Sequence, residues 1–474
     1  MLIHEDRLLP AEAGTRKIAR ALYAHVKGLP IVSPHGHTKA AWFAKNEPFP
    51  DPAKLFVQPD HYVYRMLLSQ GISMADLEIG EPEMKDPRKV WQIFASHYYL
   101  FRGTPTRMWL DFAFQELFGL QERLSAKTAN LYFDTIAEKL RTPEFLPRAL
   151  YDRFNIEVLA TTDSPFDSLA DLKAIRESGW KARIIPNFRP DPVVDAEFKG
   201  FAENIALMGK QTGEDTATWA GYLNALRKER ARFRELGCTA TDHGHPTAQT
   251  ADLPVADAAE LYRQVLGGKA DLAKQELFRA QMLTEMAQMS LEDGLVMQIH
   301  PGAVRNHNPT VYERYGRDVG CDIPRATNYV DALRPLLNRF GNERNLTIIL
   351  FTLDESTYSR ELAPLAGHYP CLRLGPPWWF HDSPEGMMRF REQATETAGF
   401  YNTAGFNDDT RAFLSIPARH DVARRIDCAF LARLVAEHRL DIEEARDLAP
   451  ELAHGLARRA YKLDGPRADR AGAA

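Results

Sequence analysis

Eight short apolar runs constrain this 474-residue chain more than any other feature. They are LPIVSPHG (29–36), IEVLATTD (156–163), ARIIPNF (182–188), GCTATDHG (237–244), LVMQIHPG (295–302), NLTIILFT (345–352), PCLRLGPP (370–377) and FYNTAGFNDD (400–409). Each is bounded by polar residues, Gly or Pro, as expected of a strand buried on both faces of a parallel sheet. Helical periodicity fills the intervals, most clearly over 86–101, 219–236 and 271–293, and again over 420–438 after the last run. Alternating strands and helices imply right-handed βα crossovers. Eight such units predict an α/β fold of the (β/α)8 TIM-barrel kind, with an open doubly wound sheet as the alternative. The interval between the first two runs is too long for one crossover. A helical insertion is therefore expected over 60–155, within a single barrel domain spanning 1–474. The tail GPRADRAGAA (465–474) is expected to fray.

Composition narrows the function. A net charge of −5 gives no global basic field, so neither nucleic acid nor an anionic membrane is an expected partner. No apolar run reaches the roughly 18 residues that a membrane span needs. The beginning, MLIHEDRLLP, carries acids where a signal peptide would be basic, which predicts a cytoplasmic protein. Cys238, Cys321, Cys371 and Cys428 form no CxxC and read as reduced thiols.

In a barrel, chemistry belongs at the carboxyl ends of the strands. The first run ends in His35 and His37, the second in Thr161, Thr162 and Asp163, and the third is followed by Arg189 and Asp191. The fourth ends in Asp242 and His243, the fifth in His300 with Arg305 beyond it, and the last in Asp408, Asp409 and Arg411. Alternate residues of an extended segment point the same way, so His35 and His37 can reach one ion. Taken alone, the pair is more simply explained as an exposed turn, and its place after a buried strand is what raises the metal reading. A carboxylate from another strand end, Asp409, would complete a mixed nitrogen and oxygen site for zinc or a similar divalent metal. Arg189, Arg305 and Arg411 can each bind a small anion through charge-assisted bonds. Asp60 is placed to cap a helix beginning at His61 and Tyr62, with His61 and Arg65 on one face. Trp378 and Trp379 are either core aromatics or an apolar wall. His243 and His245 receive no ligand role.

These residues sit in longer strings that resemble the uronate isomerase family of the metal-dependent amidohydrolase superfamily. The strings are DHYVYRMLLSQGI (60–72), TTDSPFDSL (161–169), NFRPD (187–191), GCTATDHG, VMQIHPGAVRNHN (296–308), LGPPWWFHDSPEGM (374–387) and DDTRAFLSIPARHDVARRI (408–426). They occur in the family's order along nearly the whole chain. Two departures stand out. Ser33 and Pro34 precede His35 where many members have an acid and an aromatic, and His381 stands where Asn is common.

The resemblance implies an aldose–ketose isomerase of hexuronate catabolism. Such an enzyme interconverts D-glucuronate with D-fructuronate and D-galacturonate with D-tagaturonate. It implies His35, His37 and Asp409 as metal ligands, and His61 and Tyr62 in the site. Arg189, Asp242, Trp378 and Trp379 are expected to bind substrate. The reaction moves a proton from C2 to C1 through an enediol and needs a base tuned toward neutrality. Tyr62 is one candidate, provided that arginines depress its pKa; Asp409 is the other. Arg411 and Arg305 would stabilise the enediolate, and His300 would bind a hydroxyl or shuttle the proton between oxygens. A homo-oligomer is expected. The rival within the superfamily is a metal-dependent hydrolase, which would require a bridging Lys or Glu where Asp242 stands. A non-catalytic sugar-acid binding protein would need the arginines but not the His35–His37–Asp409 set.

Overall fold

The computed structural model describes residues 2–81 and 84–464, so the expected frayed tail, 465–474, lies outside the described residues. Nine strands occur among the described residues: β1 (Ile31–Ser33), β2 (Ile156–Asp163), β3 (Ile184–Phe188), β4 (Ala240–His243), β5 (Val296–Ile299), β6 (Ala303–Val304), β7 (Ile323–Pro324), β8 (Ile348–Leu350) and β9 (Leu372–Leu374). Seven of them form one parallel sheet in the order β1-β2-β3-β4-β5-β8-β9, which curls into a half-barrel with helices around it. Each of those seven falls inside one of the first seven apolar runs, as the barrel reading requires.

The eighth run departs from expectation. It makes only a bridge, Thr403 beside Leu374, with Leu374 N–H donating to Asn402 O and Ala404 N–H to Leu374 O. Its sequence explains why. Gly405 adopts φ +75°, and a Cβ there would collide with the backbone of Ala457. The segment still occupies the eighth place. His37 N–H donates to Thr410 O at 3.0 Å, tying the end of the first strand to the last segment. β6 and β7 form an antiparallel pair above the sheet that the sequence did not signal.

Alternation along the strands builds two cores. Val32, Val158, Ala160, Ile185, Ala240, Val296 and Ile349 pack together inside the curl. Their sequence neighbours Leu159, Ile184, Met297, Ile299, Ile348 and Leu350 pack outward against the helices. Truncating an inner residue, as in Ile349→Ala, should cost about 2–5 kcal/mol, because the strands around it cannot collapse into the space. The inner face is plugged from below by Ala457, Ala460, Tyr461 and Leu463, and Tyr461 OH donates to Gln298 Oε1 at 2.8 Å.

The inward phase carries on to the polar ends. In β4 it runs from Ala240 to Asp242, and in β5 from Val296 through Gln298 to His300. Side chains of opposite chemistry share one phase, apolar below and reactive above.

Between β1 and β2 lie the helices Ala40–Lys45, Pro52–Phe56, His61–Leu68, Pro87–Ser96, Pro105–Phe112, Ala129–Leu140 and Pro147–Arg153. Asp60 caps the third of these, accepting from Tyr62 N–H (2.8 Å) and Val63 N–H (3.3 Å), and so presents His61 and Tyr62 toward the sheet's upper rim. The helices expected near 219–236, 271–293 and 420–438 are Trp219–Glu235, Leu272–Asp293 and Ile416–Ala436. Among the described residues no helix is long and apolar enough to cross a membrane.

Candidate active site

The His35-Gly36-His37 turn is fastened on both sides. Asn187 on β3 donates from Nδ2 to Pro34 O at 3.0 Å and lies 3.3 Å from His35 Nδ1. Thr162 on β2 donates to Gly36 O at 2.8 Å. The exposed-turn reading fails, because His35 is buried and His37 is held over the cavity. Asp409 meets both rings, with Oδ1 at 3.3 Å from His35 Nε2 and 3.0 Å from His37 Nε2. To reach them Asp409 takes φ +39°, a left-handed conformation that costs a residue other than glycine about 1–3 kcal/mol. Its neighbour Asp408 anchors that strain, pairing with the buried His420 at 3.0 Å.

Burial alone would raise the Asp409 carboxyl, but His35 and His37 hold it well below the ordinary carboxylate range. Burial pushes the His37 imidazole down. Burial acts on His35 in the same sense, yet Asp409 and Asp242 outweigh it and its pKa is raised. Asp409 Oδ1 is buried and accepts no well-aligned hydrogen bond. Two imidazoles and a carboxylate with an unspent oxygen fit a divalent metal ion.

On the other side of His35 stands a second cluster. The His300 ring stacks on His35 with centroids 4.8 Å apart and on Phe351 at 3.9 Å. Its Nδ1 lies 2.7 Å from Asp242 Oδ1, which directs Nε2 away from that carboxylate. Asp242 Oδ2 lies 3.2 Å from Arg189 Nη1, and Arg189 Nε donates to Asp191 at 2.8 Å. Burial lowers the His300 pKa, leaving a neutral imidazole. Burial would raise Asp242, but Arg189, His300 and His35 together hold it well below the usual range.

One cavity of about 550 Å³ takes in every residue given a catalytic, substrate or metal role: His35, His37, His61, Tyr62, Arg189, Asp242, His300, Arg305, Trp378, Trp379, Asp409 and Arg411. That volume lies within the roughly 300–1,000 Å³ typical of small-molecule sites. Arg411 is paired with Asp318 at 2.5 Å and Arg305 with Asp322 at 2.7 Å. Trp378 is both core and wall, since it is buried with the inner cluster and meets His300 edge-on at 4.7 Å. Trp379 lies under the Arg305 guanidinium, 5.7 Å from its ring centroid. His61 faces the cavity, and burial depresses its pKa to about 4. Arg65 instead stacks over Phe380 at 4.6 Å.

The condition for Tyr62 as the base is not met. Burial raises its phenol far above the ordinary value, and the Arg419 charge recovers only part of that rise. Its hydroxyl donates to Trp379 O at 3.0 Å. His381, one of the departures in sequence, is absent from the cavity wall and meets Leu353 O at 2.9 Å.

Sequence reasoning passed over several groups. Asp318 and Asp322 sit in an irregular loop with no periodicity to flag them. Arg419 lies within a quoted string, one residue before the helix expected over 420–438, and receives no role from the sequence. It is buried, salt-bridged to Asp382, and stacked 3.6 Å from the Trp109 ring centroid. Asn187 follows the alternation of β3, and that parity was the available signal.

A curled parallel sheet with an HxH pair and an aspartate meeting over its upper rim defines a barrel of the amidohydrolase-like, metal-binding class. The comparisons are more specific. A family model described as glucuronate isomerase matches residues 2–459, and the chain belongs to that family. A curated uronate isomerase from Phenylobacterium zucineum is 63% identical over 467 residues, covering 98% of this chain and 97% of the relative. The crystal structure of glucuronate isomerase from Caulobacter crescentus superposes with a TM-score of 0.96 at 59% identity, covering 98% of each chain. That of uronate isomerase from Thermotoga maritima gives 0.91 at 29% identity, covering 97% of this chain and all of the other.

Proposed function

We propose that this protein is an aldose–ketose isomerase. Its reaction would interconvert D-glucuronate with D-fructuronate and D-galacturonate with D-tagaturonate, by moving a proton from C2 to C1 through an enediol. The observation that carries the reading is the convergence of His35, His37 and Asp409 with Arg189, Arg305 and Arg411 on one cavity. The family match over nearly the whole chain supports it.

His35, His37 and Asp409 would hold a divalent ion, proposed to be zinc, which supplies Lewis-acid polarisation of a substrate oxygen. The side chains account for the rest. The arginines hold the anionic carboxylate and the charge of the enediolate, and they do so in a cavity walled by Trp378 and Trp379, where such contacts strengthen. Asp409 is ionised at neutral pH and is the favoured acceptor of the C2 proton. Tyr62, its phenol pushed up, stays neutral, with its hydroxyl proton held by Trp379 O. His300 is neutral, with Nδ1 committed to Asp242, so its Nε2 can carry a proton between O2 and O1.

A hydrolase is disfavoured. Where that chemistry requires a bridging Lys or Glu, Asp242 stands, already paired with Arg189 and His300. The four free thiols fit a reducing, cytoplasmic setting. Self-association is read by sedimentation of the purified protein.

The test is incubation of the metal-loaded protein with D-glucuronate and with D-galacturonate, following ketose formation. Ketose from either is expected. Its absence from both overturns the proposal.

A further inference from the structure

His35 belongs to two ligand sets. One is His35, His37 and Asp409; the other is His35, Asp242 and His300, and in each the donor atoms lie within 4.8 Å of one another. The donor chemistry is the same in both, two imidazoles and a carboxylate. Burial favours the second set, whose three members are all inaccessible, whereas His37 keeps 22% of its side chain exposed. Donor type therefore does not explain why an ion would choose Asp409. A neutral imidazole has a free lone pair on only one of its nitrogens, so the two sets compete for His35.

What distinguishes them is the nearest fixed cation. Arg189 places Nη1 3.2 Å from Asp242 Oδ2. It is locked there by Asp191, which takes its Nε at 2.8 Å and accepts from Gly244 N–H at 3.2 Å. A Cβ at Gly244 would run into the guanidinium, so the absent side chain makes room for it. Arg411, the arginine nearest Asp409 in sequence, is drawn to Asp318 instead, and both of those side chains are about half-exposed.

We propose that Arg189 keeps the divalent ion off the His35–Asp242–His300 set and so directs it to His35, His37 and Asp409. The guanidinium acts as a resident cation. It neutralises Asp242 and repels a second positive charge at short range in a buried site. This inference rests on the metal reading proposed above.

The test measures zinc affinity of the purified, metal-stripped protein by competition with a chromogenic chelator, so no turnover is needed. Asp409→Asn should weaken zinc binding at least about 30-fold. Adding Arg189→Met to it should recover at least about tenfold, while adding Arg189→Lys, which keeps the charge, should recover nothing. The recovered affinity should vanish when Asp242→Asn is added. Circular dichroism confirms folding, and Arg189→Gln replaces Arg189→Met should the latter not fold. Two results overturn the proposal: a double variant that binds no tighter than Asp409→Asn, or a recovered affinity that survives Asp242→Asn. If Asp409→Asn alone leaves zinc binding intact, the metal reading itself falls, and this is seen before Arg189 is altered.

Discussion

Asp409 Oδ1 lies 3.0 Å from His37 Nε2, although the two residues come from opposite ends of the chain. The contact exists because His37 N–H is bonded to Thr410 O, which draws the eighth segment against the first strand. It also needs the left-handed turn at Asp409, which Asp408 stabilises from behind through His420. Fold closure and site assembly are thus one event. Asp409→Asn should keep the fold and lower kcat/KM for glucuronate about 1,000-fold, by removing a proposed metal ligand together with the ionised acceptor. Arg411→Met should lower it about 100-fold or more. Full activity in either variant, measured as ketose formed, would sink these roles.

The arginine pairs make a prediction of the opposite sign. Asp318 occupies the Arg411 guanidinium that a substrate carboxylate would use, and both side chains are about half-exposed. Exposed pairs are worth about 0–1 kcal/mol. Asp318→Asn should therefore lower KM for the uronate, by no more than about fivefold, with kcat nearly unchanged. A rise in KM would mean that Asp318 helps to bind the sugar rather than competing with it.

Asp242 acts through His300. With Nδ1 2.7 Å from Oδ1, the carboxylate favours the tautomer that carries its proton on Nδ1. An amide at 242 can present its NH2 to Nδ1 and invert that tautomer. Asp242→Asn should reduce kcat about 10- to 100-fold, the usual effect of removing a residue that orients a histidine. Asp242→Glu should recover part of the loss. Equal kcat in wild type and Asp242→Asn would assign His300 no proton-carrying role.

Much of this was legible in the sequence. Seven runs became strands because short, mainly apolar stretches bounded by polar residues, Gly or Pro favour burial in a parallel sheet. Strand parity then carried the reader from Ala240 to Asp242 and from Val296 to His300. Three things were not legible, each for a tertiary reason. β6 and β7 have two residues each, too few to show a period. The acids on Arg305 and Arg411 come from a loop whose path depends on that hairpin. Tyr62 looked tunable by nearby arginines. Among the described residues the close guanidinium is that of Arg419, itself spent on Asp382, so burial prevails.

His243 offers a stability prediction independent of catalysis. It ends β4 fully buried, beside Thr241 Oγ1 at 3.0 Å, with Nδ1 unpartnered. Burial depresses its pKa to about 3, against an ordinary value of 6.5. The folded protein therefore refuses a proton that the unfolded chain accepts. The stability tied to this group is complete above about pH 6.5 and is lost as pH falls from there toward 3. At pH 4 the loss relative to pH 7.5 amounts to about 3 kcal/mol from this residue alone. His243→Phe removes the titration but perturbs packing, so its absolute stability is uninformative. Its dependence on pH is the readout. Denaturant unfolding of wild type and variant at pH 7.5, 5.5 and 4 should show the gap shifting in the variant's favour by about 3 kcal/mol on acidification. A gap independent of pH would mean that His243 takes up its proton in the folded state.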